Sequence, residues 1–321
     1  MVFSFRELPE GNFSHFSYFN KKTHNVVFLN CVDNGWFQTG VADFGATHEA
    51  TLARLQELID AFEPNHIAFF GFSMGGYGAI LYACHLKPDK VVALAPELEL
   101  NLPFSRSLEN LREKPLLGEN ITQLLSENSH SDFHIIWGDM EPIDLYLATK
   151  YRPHIHGRIS FIFGCNHYIT TFLRNNNQLK PLFNSLVSSE QYSLPEKYRV
   201  ESIEEFSFDA ARVLFDSVNA YKEGKFMDSV ERLSVLDMIF QDWAPYWWYL
   251  GRTYVKLKNY GMAEHSFRRA LDIQADNVYY LFDFANILQL QNNKESAIQI
   301  LNRLINQPMI GKRAERLLAR L

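Results

Sequence analysis

Cysteine is scarce: the chain holds three, Cys31, Cys84 and Cys165, in 321 residues. The number is odd and no pair has zinc-site spacing, which excludes a disulfide framework and fits a reducing compartment. Positive charge is also short, with 31 Lys and Arg against 37 Asp and Glu for a net charge of −6. A nucleic-acid binder carries a basic surplus, so DNA and RNA are set aside as partners. No apolar run nears the roughly 20 residues that a membrane span needs. The opening MVFSFRELPEGN lacks the basic start and long apolar core of a signal peptide. The expectation is a soluble, cytoplasmic protein.

What is present comes in two styles. Apolar residues make up 47% of the chain, enough for ordinary cores, and the length suggests two domains. FSHFSYF (13–19), NVVFLN (25–30), HIAFFGF (66–72), KVVALAP (90–96), FHIIWG (133–138) and ISFIFG (159–164) read as strands. Helical patterns lie between them at 47–62, 76–86, 107–128 and 144–151. Strands with no polar face belong to buried parallel sheets. The alternation predicts an α/β fold with a doubly wound, mostly parallel sheet over residues 1–187. The first two strands read as an antiparallel edge.

The polar stretch 188–207 reads as a linker. From 208 to 321 the strand signal stops and a 34-residue period begins. Gly224, Lys258 and Asn292 are in step, as are Ser229, Ala263 and Ala297, then Leu233, Phe267 and Leu301, then Leu236, Ala270 and Leu304. The middle copy reads Trp247-x-x-Leu250-Gly251-x-x-Tyr254, followed by Ala263, Phe267 and Ala270. This resembles the tetratricopeptide repeat. Copies are expected near 210–243, 244–277 and 278–311, in an all-α domain whose surface implies a protein partner. The aromatic run Trp243, Tyr246, Trp247 and Trp248 reads mainly as core between helices.

One short stretch carries the chemistry. Gly71, Ser73 and Gly75 form G-x-S-x-G between an apolar run and a helical pattern. No Lys follows as in a P-loop, and no G-x-G-x-x-G precedes the helix, so neither a nucleotide nor any other cofactor is expected. The context is that of a nucleophile elbow, in which a tight turn lifts the serine hydroxyl clear of the sheet. The N–H of Met74 would then face a developing oxyanion. A second donor is expected after NVVFLN, near Cys31 or Val32.

Chain order supplies the partners. His167 stands just past the last predicted strand, where a general base belongs. His154 and His156 suggest metal at first sight, but no third ligand has helpful spacing, so no metal site is expected. The acid should follow FHIIWG, where Asp139, Glu141 and Asp144 compete. Asp144 is preferred, then Glu141, then Asp139; Asp144 also reads as an N-cap for the helix behind it.

GFSMGGYGAILYA, VVALAP, the loop of three acids and GCNH together resemble the α/β-hydrolase superfamily over most of 25–170. More narrowly they resemble bacterial proteins with a G-x-S-M-G-G-Y elbow that serve surface polysaccharide or glycoprotein export, some of them fused to tetratricopeptide repeats. The resemblance implies acyl transfer or ester cleavage on a small-molecule or glycan ester, through Ser73, His167 and a carboxylate. The sequence departs from lipases in lacking HGGG, and the segment from Glu97 to His130 is too short for a large lid. An inert scaffold that works through its repeats is the alternative from another class.

Overall fold

Six short strands form one sheet in the order β2-β1-β3-β4-β5-β6, and every neighbouring pair is parallel. They are β1 (Val2–Arg6), β2 (Val26–Asn30), β3 (Ala68–Phe72), β4 (Lys90–Leu94), β5 (Asp132–Gly138) and β6 (Gly157–Ile162). This computed structural model describes residues 1–6, 16–19, 24–31, 35–41, 43–111, 116–118, 120–200 and 206–321. Phe69, Phe70, Val91, Val92, Ile135 and Ile136 are all buried, so the sheet is covered on both faces as its apolar strands require.

Helices connect the strands: α1 (Phe16–Phe19), α2 (His48–Phe62), α3 (Met74–Leu86), α4 (Arg106–Leu111), α5 (Ile121–Glu127), α6 (Pro142–Tyr151), α7 (Ile169–Asn175) and α8 (Leu179–Ser185). Thr47 caps α2 through its side chain, accepting from the N–H of Ala50 at 3.2 Å. The helical pattern at 107–128 is divided between α4 and α5, and residues 112–115 and 119 lie outside the described residues.

Three expectations need correction. FSHFSYF is not a strand where it is described: Phe16–Phe19 is the short helix α1, and residues 13–15 lie outside the description. Tyr18 donates to Asn184 Oδ1 at 2.6 Å, and the Phe19 ring lies 5.0 Å from Phe183, so the aromatics serve packing on α8. Among the described residues there is no antiparallel pair at that edge. β2 pairs in parallel with the N-terminal VFSFR, in the register Val2↔Val26. The intervening chain is long enough for a parallel crossover, and apolar alternation carries no strand direction.

The third correction concerns the linker. Residues 188–200 dock on the sheet unit. The buried ammonium of Lys90 donates to the carbonyls of Ser185, Ser188 and Glu190 at 2.6, 3.1 and 3.0 Å. Further along, Phe163 N donates to Tyr198 O at 2.8 Å, and Ile162 bridges Arg199 antiparallel. Tyr192 and Leu194 are buried. A polar composition concealed a segment held by its backbone carbonyls. The chain therefore divides into Met1–Glu205 and Phe206–Leu321.

In the second unit, each predicted copy holds one helix pair. The pairs are α9 (Phe208–Lys222) with α10 (Phe226–Ser234), α12 (Ala244–Lys256) with α13 (Tyr260–Ile273), and α14 (Val278–Leu290) with α15 (Lys294–Leu304). A short α11 (Asp237–Phe240) follows the first pair, and α16 (Gly311–Leu318) follows the last. Ser229, Ala263 and Ala297 are fully buried, as are Leu233, Phe267 and Leu301. Gly224, Lys258 and Asn292 each turn the chain between paired helices at φ 83°, 59° and 67°. The 34-residue period is thus a period of core positions and of left-handed turns. Trp243, Tyr246 and Trp247 are buried, while Trp248 is half-buried and donates to Asp283 Oδ2 at 2.8 Å.

Candidate active site

Ser73 lies between the last residue of β3 and the first of α3, at φ 54° and ψ −119°. A side chain at positive φ costs of order 1–3 kcal/mol and persists only when its surroundings fix it. Ser73 N donates to Leu94 O at 2.8 Å, and Ser73 O accepts from Tyr77 N at 3.0 Å. Gly71 is obligatory here: a Cβ on it would stand 1.9 Å from the carbonyl oxygen of Gly75. The turn sits where strand order reverses, since β2 lies on one side of β1 and β3 on the other. Open α/β sheets present ligand crevices at such points.

His167 arrives from the loop after β6. Two contacts bring that loop in: Met140 N donates to Cys165 O at 3.1 Å, and a Cβ on Gly138 would lie 2.2 Å from the same oxygen. His167 Nε2 lies 2.9 Å from Ser73 Oγ, across 94 residues of sequence. Both side chains are buried, and the Phe72 ring packs 5.1 Å from the imidazole. Burial first, and the Arg106 charge second, lower the His167 pKa to about 3. The ring is therefore neutral near pH 7. When Nε2 accepts from the serine hydroxyl, the proton sits on Nδ1.

The acid does not complete the set. His167 Nδ1 and Asp144 Oδ2 are both buried without a hydrogen-bond partner, so the preferred carboxylate does not hold the imidazole. Nor does Asp144 cap its helix. Glu141 occupies the N-cap of α6, and Pro142 opens the first turn, which draws Asp144 inside it. Burial pushes the Asp144 carboxyl well above the usual range, Glu141 adds to this, and Arg106 opposes it. Asp139, the third choice, is buried at the end of β5, where its N–H donates to Ile162 O at 3.2 Å. None of the three hydrogen-bonds His167 Nδ1. Their charges fall instead on Cys165, whose thiol is pushed up by burial first, then by Asp139, Asp144 and Glu141.

Met74 is the first residue of α3 and buried, so its N–H has no acceptor within the helix. Val32 lies outside the described residues. The loop after β2 resumes at Gly35 and clasps α3 one turn below Ser73. There the Phe37 ring fills the space a Gly78 side chain would take, and Gln38 Nε2 donates to the Tyr77 hydroxyl at 3.1 Å. Gln38, Tyr77, Glu99 and Lys150, together with Leu98 and Leu100, line a small cavity of mixed character, about 230 Å³ in volume.

Sequence reasoning missed Arg106 and Glu97. Glu97 is buried beyond β4 and accepts from the N–H groups of Arg106 and Ser107, both at 2.9 Å. That capping places a cation whose charge reaches both His167 and Asp144. The available signal was an acid directly after the apolar KVVALAP.

The sequence profile of the family described as Tetratricopeptide repeat matches residues 244–277. No curated protein matches this sequence. A solved structure titled "CopN-Scc3 complex" is similar with a TM-score of 0.33 and 16% identity, over 43% of this chain and 84% of that one. The chain thus joins a parallel α/β unit to a C-terminal region carrying a tetratricopeptide repeat.

Proposed function

We propose that this protein is a serine-dependent acyl-ester hydrolase in which Ser73 is the nucleophile and His167 the general base. One observation carries the reading: a hydroxyl on a strained strand-to-helix turn, 2.9 Å from a neutral imidazole nitrogen. In this reading Ser73 Oγ attacks the ester carbonyl while His167 Nε2 takes its proton. The N–H of Met74 and the start of α3 stabilise the oxyanion. The proton then passes to the departing alkoxide, which leaves as an alcohol. Water repeats the sequence in reverse roles and frees the acid. A sugar hydroxyl in place of water would make the same dyad an O-acyltransferase.

The test is hydrolysis of p-nitrophenyl acetate together with fluorophosphonate labelling. Ser73→Ala should abolish labelling and lower turnover by roughly 10³-fold or more. Labelling that persists in the variant, or equal rates, would reject the reading in favour of an inert scaffold. Asp144→Asn, Glu141→Gln and Asp139→Asn then show which acid, if any, the reaction uses; a true triad acid costs about 10⁴ in kcat.

The pH profile provides a separate check. An unprotonated His167 is required, and its pKa is lowered to about 3. The acidic limb of kcat/KM should therefore lie well below the ordinary histidine value of about 6.5. A limb near 7 would show a carboxylate paired with Nδ1 during catalysis. The repeat region suggests a protein partner, and we assign it the role of bringing the acyl chemistry to that partner in the cytoplasm.

A further inference from the structure

Away from Ser73 and His167, a cavity of about 870 Å³ opens beside the edge strand β6. Three arginines from three different places line it. Arg158 lies on β6, opposite His134 of β5; Arg152 follows α6; Arg199 belongs to the docked tail. No carboxylate is among the described lining residues. In a chain with a net charge of −6, three guanidiniums around one hollow concentrate positive charge against the trend of the whole molecule.

A second observation points to a ligand. His134 Nδ1, Arg158 Nε and the Tyr192 hydroxyl are buried in this wall with no hydrogen-bond partner. His134 is 2% exposed, and its Nε2 lies 2.9 Å from Ser160 Oγ. With the Ser160 hydroxyl donating to Nε2, Nδ1 carries the proton and is a donor. Burial, then Arg158 and Lys90, hold this imidazole neutral. Arg158 is oriented by one bond, Nη1 to Tyr192 O at 3.0 Å. Buried donors without acceptors are the exception in folded proteins, and several around one cavity mark a place where acceptor oxygens are wanted. Guanidinium groups pair with phosphate oxygens in a planar, two-bond geometry. The volume is that of a small organic ligand, larger than a lone phosphate ion needs, and Ile155, Ile159 and Leu194 give it an apolar wall.

We propose that this cavity binds a phosphorylated small molecule, with its phosphoryl group among Arg152, Arg158 and Arg199 and its body against the apolar wall. The cavity shares no lining residue with the Ser73 site, so the assignment stands or falls independently of the acyl chemistry.

Calorimetric titration of the full chain tests it, with inorganic pyrophosphate, ribose 5-phosphate, ribose and succinate as probes. Saturable binding of pyrophosphate and of ribose 5-phosphate is expected, with none for ribose and weaker binding of succinate. Arg158→Gln and Arg199→Gln should each weaken ribose 5-phosphate by about tenfold or more, and Ser73→Ala should leave it unchanged. Because Arg158 also ties down the tail, Arg199→Gln, checked for an unaltered melting curve, decides the matter if Arg158→Gln unfolds. Three results would overturn the proposal: no saturable heat with either phosphate at about 10 mM, succinate binding as tightly as the phosphates, or a folded Arg199→Gln protein that binds like the wild type.

Discussion

The two units solve the same problem, fixing a backbone in an unfavourable conformation, by opposite means. In the sheet unit Ser73, one of several residues there at positive φ, is held by partners far away in sequence: Leu94, and an imidazole 94 residues on. The repeat unit does it three times in step, at Gly224, Lys258 and Asn292, each within a turn between neighbouring helices. In the first unit the strain places a hydroxyl within hydrogen-bond reach of an imidazole. In the second it only reverses the chain, and the residue type varies with no chemical consequence. Strain held by distant contacts marks a site, whereas strain repeated locally marks architecture.

Substitutions should break this contrast in a graded way, each read by peptide-resolved hydrogen exchange on the full chain. The largest effect is expected from Gly71→Ala, whose new Cβ meets backbone 1.9 Å away. Backbone cannot swing aside, so the sheet unit should lose more than about 4 kcal/mol while exchange in 206–321 stays slow. Native-like protection around Ser73 in that variant would refute the account of the turn. Phe267→Ala should do the converse. Removing a fully buried ring should cost the repeat unit about 3–5 kcal/mol and leave fluorophosphonate labelling intact.

Acid sharpens the comparison further. His48, His134 and His167 are held neutral in the sheet unit, with pKa values lowered to about 4, 3 and 3. Unfolding lets them charge, so the unfolded chain binds more protons between about pH 6.5 and 3. The stability these three groups give the sheet unit is full above pH 6.5 and falls with acid, by about 1.4 kcal/mol per pH unit for each proton taken up, while the raised Asp144 carboxyl offsets part of the loss. The repeat unit holds Asp283, whose pKa is raised by burial despite Arg252, and this group acts the other way, adding stability as pH falls. Exchange at pH 5 against pH 7 should therefore quicken first in residues 1–200; earlier loss in the repeats would contradict the assignment of charge states. The smallest effect is Lys258→Gly, which relieves a side chain at φ 59° and should stabilise the repeat unit by about 1 kcal/mol, seen as slower exchange there.

Much of this was legible in the sequence, for reasons that differ by region. The repeats were readable because local helix packing stamps its period on the chain: Ser229, Ala263 and Ala297 are small where helices touch. The closeness of Ser73 and His167 was legible because a G-x-S-x-G turn after one strand and a histidine just past the last strand come to the same end of a parallel sheet, where the two side chains lie 2.9 Å apart. The acid was not readable. Three carboxylates crowd one loop, and that none of them hydrogen-bonds Nδ1 depends on ångström-scale turns of α6 that Pro142 alone begins to set. The strand VFSFR was missed because five alternating residues at a chain start look like nothing in particular until the sheet closes around Phe3 and Phe5. The docked tail was missed for a related reason: its fastening is a lysine 98 residues before Ser188, and carbonyl acceptors leave no trace in composition.

That fastening decides where the chain can be divided. A fragment stopping at residue 187 would strip the Lys90 ammonium of its acceptors at Ser188 and Glu190 and leave the flank of β6 bare, an invitation to sticky self-association. Thirteen further residues, through Val200, would restore both. Anyone wishing to handle the sheet unit alone should place the cut by the reach of one amine, not by where the apolar pattern ends.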